Sequence, residues 1–203
     1  MAADQIDVGS AISGKLPGRK GMRRFVHSRD GAAAIEFALL SIPYFMIVFA
    51  ILETFVAFAA EQLVSSSVDN MGRKLRTGQI TAANTTEEKF RQDFCDEISI
   101  LIKCSESDAN RLYLDVETYS NFSQVPTTIP RISSSDPFSD LKTTDFKFAP
   151  GGKGTINMVR AYYKWQIITD LIRPYITNIR PAGSMPTDFL IVATAVFQNE
   201  QYP

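Results

Sequence analysis

The sequence has little of what most reaction centres are built from. Histidine occurs once, at His27, and cysteine twice, at Cys95 and Cys104. There is no CxxC pair and no Cys/His spacing of the kind that holds zinc. Acid/base pairs with a nucleophile are equally missing, so neither a cofactor nor an enzymatic role is expected. The segment Pro150-Gly151-Gly152-Lys153-Gly154 lacks the GKS or GKT ending and the strand-to-helix setting of a phosphate loop, and it reads as a turn. A net charge of -1 leaves no excess of cations to neutralise phosphates, which argues against nucleic acid as a partner. At 203 residues the chain is also too short for two comfortable domains.

What is present is polarised along the chain. Lys15, Arg19, Lys20, Arg23, Arg24 and Arg29 precede the first long apolar run, against Asp4, Asp7 and Asp30. The run itself, GAAAIEFALLSIPYFMIVFAILETFVAFAAEQ from Gly31, carries no charge between Phe37 and Leu52. As a helix to Ala60 it has about 29 residues at ~1.5 Å each, more than a ~30 Å hydrocarbon core requires. It is about twice the length of a secretory h-region, so it reads as a retained span. The basic flank orients the N-terminus to the cytoplasm and puts both cysteines on the oxidising side. Whether they pair stays open at this point. Nine positions within one helix are about 13.5 Å of rise, beyond the ~7 Å Cα limit, so a bridge needs the second helix to end near Leu101 and the chain to fold back.

Two carboxylates lie in the apolar run. Glu36 either snorkels to nearby headgroups or has a partner, because a lone carboxylate in lipid costs a few kcal/mol. Glu53, 17 positions on, is read as an interfacial carboxylate, with a salt bridge to a partner helix as its alternative. Pro43 removes one helical hydrogen bond and predicts a kink near residues 39–40.

A basic leader, then Gly31, then Glu36 at the fifth position, then an unbroken apolar helix resembles type IV prepilins and pseudopilins. The longer string RDGAAAIEFALLSIPYFMIVFAILETF, followed by a polar helix ending near MGRKLRTGQ, is similar to the TadE-like family of the tight-adherence (Flp) pilus apparatus. The likeness is strongest over residues 29–78, and FLIVATAVFQNEQYP resembles the close of such domains, with a structural role for Glu200 and Tyr202. The resemblance implies a prepilin peptidase cutting after Gly31, with Ala32 as the mature N-terminus and Glu36 as the carboxylate of the pilin helix. It also implies inner-membrane placement, other pilins or pseudopilins and the assembly platform as partners, and no small-molecule substrate. The competing reading is an uncleaved, signal-anchored periplasmic accessory or binding protein. The implied layout is a leader over 1–31, a transmembrane helix over 32–60 and a periplasmic domain over 61–203.

For that domain, Leu63, Val64, Val68, Met71 and Leu75 keep a helical period to about Arg76, with a stop at Gly78. A second helix begins with Thr85 as N-cap and Glu88 completing a capping box, and Phe90, Phe94, Ile98 and Leu101 make its apolar stripe. Leu112, Leu114 and Val116 alternate with polar neighbours as a half-buried strand, and residues 158–168 and 188–197 read as two more. Pro174, Pro181 and Pro186 demand a loop, and residues 120–155 read as a long exposed loop with at most a short strand at 145–148. Tyr162, Tyr163 and Trp165 are read as core and sheet surface. The expected fold is α+β: a long N-terminal transmembrane helix extending into a small pilin-like periplasmic domain with a second helix and an antiparallel sheet.

Overall fold

The computed structural model describes residues 29–104, 111–180 and 184–202. The basic leader up to Ser28, His27 included, and Pro181 lie outside the described residues. The chain divides into two units, residues 1–47 and 48–203.

Helix α1, Arg29–Arg76, continues through Pro43. Two hydroxyls in its apolar part are satisfied locally: Ser41 Oγ donates to Ala38 O at 3.2 Å and Thr54 Oγ1 to Ala50 O at 2.9 Å. From Ala57 onward the helix buries a stripe of Ala57, Ala60, Val64, Val68, Met71 and Leu75. These recur at three- and four-residue spacing, as one face of a 3.6-residue period does. At the end, Gly78 N–H donates to Leu75 O and Gln79 N–H to Lys74 O, a Schellman cap with Gly78 at φ +76°.

Helix α2, Glu87–Ile98, starts one residue later than the sequence suggested. Its N-cap is Thr86, whose Oγ1 accepts from Lys89 N at 3.3 Å. Thr85 instead donates its hydroxyl to Asn84 Oδ1, which also accepts from Thr81 N and so belongs to the preceding turn. Two adjacent threonines competed for the cap, and the Asn84 turn decided between them. Beyond Ile98 the chain turns, with Leu101 N and Ile102 N both donating to Ile98 O. Cys104 thereby returns to Cys95, and the two form a disulfide with Cα atoms 5.8 Å apart.

Strands β1, Leu112–Tyr119, β2, Ile156–Gln166, and β3, Asp188–Gln198, form an antiparallel sheet in the order β1-β2-β3. Leu112 pairs with Tyr163, Leu114 with Ala161 and Val116 with Val159, so these side chains share one face. That face packs on the α1 stripe and on Phe90, Phe94 and Ile98 of α2. Gly72 lets helix and sheet approach closely, since a Cβ there would stand 3.0 Å from the Phe197 ring.

Residues 120–155 form a long, mostly exposed loop as expected, and a few of its side chains also cover the opposite face of the sheet. Leu141, Tyr162, Ile179 and Leu190 form a second buried cluster, with Phe146 stacked on Tyr162 at 4.8 Å. Arg160 reaches out of β2 to hold the loop, donating to Pro126 O at 2.5 Å and Thr128 O at 3.2 Å. The cause lies in β2, which is buried over seven consecutive residues and needs cover on both sides. No strand forms over 145–148; a 3-10 turn spans Thr143–Asp145, and Phe148 makes a single bridge to Val116. After β2, the proline-containing connection includes a short helix α3, Arg173–Ile176, with Pro174 in its first turn. Tyr162 and Tyr163 are buried, and Trp165 packs against the core as expected.

Candidate functional site

The candidate site is α1 itself, and its chemistry begins with its apolar exposure. The helix is long and apolar enough to cross a membrane, and of its most apolar stretch, with mean hydropathy 2.2, only 6% is buried by the protein. Phe37, Leu39, Leu40, Ile42, Phe45, Ile47 and Ile51 all project outward. A surface of that kind is stable in lipid or against other helices, and not in water.

Gly31 and Ala32 lie in the first turn of α1. Glu36 follows on the exposed part of the helix, and no described residue hydrogen-bonds or ion-pairs with it. Its carboxylate is thus a polar group on an apolar surface.

Glu53 behaves differently. Its two carboxylate oxygens accept the backbone amides of Ile168, at 2.5 Å, and Thr169, at 2.8 Å. Sequence reasoning offered solvent or a cation on another helix and missed this pairing. Its partners are backbone amides 115 and 116 residues away, so no local signal pointed to them. The bond ties the segment after β2 to α1 immediately beyond the charge-free run.

The far end of α1 is fastened as well. Lys74 Nζ meets Glu97 Oε1 at 2.6 Å, joining α1 to α2. Arg76 O accepts Glu200 N–H at 2.9 Å, and the Arg76 guanidinium pairs with the Glu200 carboxylate at 3.0 Å. Tyr202 packs over Gly78, where a Cβ would stand 2.5 Å from the ring. Glu200 and Tyr202 therefore have the structural role expected of them. Cys95 and Cys104 form a disulfide that ties α2 to the turn that follows it. Among the described residues, no three His, Cys, Asp or Glu side chains converge to hold a metal ion.

Residues 31–73 match the TadE-like protein family. The match starts at Gly31, contains Glu36 and Glu53, and ends inside the amphipathic half of α1. The C-terminal likeness read from the sequence falls outside the matched residues, so the sheet is described by its geometry alone. No curated protein and no solved structure matches the chain.

Proposed function

We propose that this protein is a minor pilin or pseudopilin needed to assemble a tight-adherence (Flp, type IV-related) pilus. The observation that carries the reading is Glu36, placed within the TadE-like segment on an exposed apolar helix without a partner among the described residues. In this reading α1 crosses the inner membrane once, with the leader in the cytoplasm and the disulfide-bonded domain in the periplasm. A prepilin peptidase cuts after Gly31 and leaves Ala32 with a free ammonium group. About five residues of helix then bring Glu36 to the level of a neighbouring subunit's terminus, and the pair neutralises both charges in lipid. That pairing sets the register in which the helix joins other pilins or the assembly platform. The role is one of assembly, and catalysis belongs to the peptidase.

Glu36→Gln tests it, with pilus number per cell counted alongside the amount of processed protein. Removing one partner of a buried ion pair costs about 3–5 kcal/mol, so pilus number falls by at least about tenfold while processing continues. Normal pilus numbers in this variant contradict the reading.

A further inference from the structure

We propose that the segment following β2, residues 167–176, is a second membrane contact that lies in the headgroup region of the bilayer crossed by α1. The inference rests on the reading that α1 spans a membrane, and goes beyond it by placing part of the folded domain in the lipid interface.

Three large apolar or aromatic side chains of this segment stand in the open: Ile168 at 81% exposure, Tyr175 at 84% and Leu171 at 42%. Such a cluster is costly in water and marks a lipid or partner contact. Its position selects lipid. Glu53 holds the amides of Ile168 and Thr169, and Glu53 is the first charged residue after the run that ends at Leu52. Residues 33–52 make about 30 Å of helix, the thickness of a hydrocarbon core, which places Glu53 where lipid gives way to headgroups. The segment it holds is therefore fixed at the same depth. An apolar groove of about 260 Å³, lined by Thr54, Phe58, Tyr175, Ile176 and Phe189 among others, joins this segment to α1. Phe55 and Phe58 continue the exposed surface of the helix down to it.

The chemistry of the segment suits that depth. Tyrosine favours the membrane–water boundary, where its ring is shielded and its hydroxyl is wet. The charges present, Asp170 and Arg173, pair with each other at 2.8 Å and are tolerable among headgroups. Phe122, also exposed, lies just past the end of β1, at the opposite end of the sheet. Eleven residues of β2 at ~3.3 Å each separate the two ends by roughly 33 Å, so Phe122 serves as a dry-land control.

The test uses the full chain in phosphatidylcholine vesicles, with the native disulfide intact and Trp165→Phe removing the native indole. Single tryptophans are introduced by Ile168→Trp, Tyr175→Trp, Phe45→Trp or Phe122→Trp, and quenching by acyl-brominated lipid is read. The indoles at positions 168, 175 and 45 lose most of their emission, and the one at position 122 keeps it. Quenching at 45 without quenching at 168 and 175 overturns the proposal and leaves the span intact. Loss of quenching at 45 as well removes the spanning reading and the second contact together. Unquenched indoles at 168 and 175 that shift to the blue only at high protein-to-lipid ratio assign the face to a second copy of the chain, which also overturns it.

Discussion

At Gly78 the chain leaves α1 with φ +76°, and the ring of Tyr202 occupies the space a side chain would need. Alanine there meets two penalties at once, a left-handed backbone and a displaced ring. Gly78→Ala is expected to destabilise the domain by about 2 kcal/mol or more, read as a lowered urea midpoint at constant m-value. Asp115 offers a second residue-level test. It is buried on β1, where loss of hydration raises its pKa from the usual 3.8 to about 6; the Glu117 carboxylate adds to the rise, and the Lys147 amide and the Arg160 guanidinium oppose it. A carboxyl that holds its proton more tightly in the folded state destabilises the fold once ionised. Stability is therefore expected to fall as pH rises through the window from about 4 to about 6. Asp115→Asn keeps an acceptor for the Lys147 N–H, flattens that part of the profile and raises the melting temperature at pH 7. An unchanged profile in thermal melts across this range would remove the assignment.

At the scale of elements, the disulfide closes the turn after α2. It joins residues nine apart, and the loop-closure entropy of so short a ring is worth about 2–3 kcal/mol. A Cys95→Ser, Cys104→Ser double variant should lose stability on that order while keeping α2, which far-UV circular dichroism and urea titration together will show. The elements differ in how plainly their residues announced them. The 3.6-residue stripe of α1, its glycine stop and the alternation in β1 are local signals, and each strand formed within two residues of its expected place. The cap of α2 was ambiguous because Thr85 and Thr86 both suit it, and only the Asn84 turn separates them. Cover for the second face of β2 was not legible, because Leu141 and Ile179 reach Tyr162 from segments far apart in the chain. The Glu53 contact was hidden for the same reason, with 115 residues separating it from Ile168. Its partners are backbone amides, which every residue carries and no pattern reveals. The exposure of Glu36, in contrast, follows from its immediate neighbours on an apolar helix.

For the molecule as a whole, one helix serves two surroundings. Its first half presents apolar side chains outward, and its second half turns them inward onto a sheet, the second helix and the C-terminal tail. The folded domain thus holds the helix by its far half, and the near half carries Glu36 on its exposed surface. In the proposed role, the near half is the part that meets other subunits. The account depends on the near half acquiring a new N-terminus beside Glu36. Mass spectrometry of the protein extracted from cells that carry the prepilin peptidase tests this most directly. The account predicts a chain beginning at Ala32, with Gly31 and everything before it removed. A retained leader, or a cut at any other bond, would contradict it.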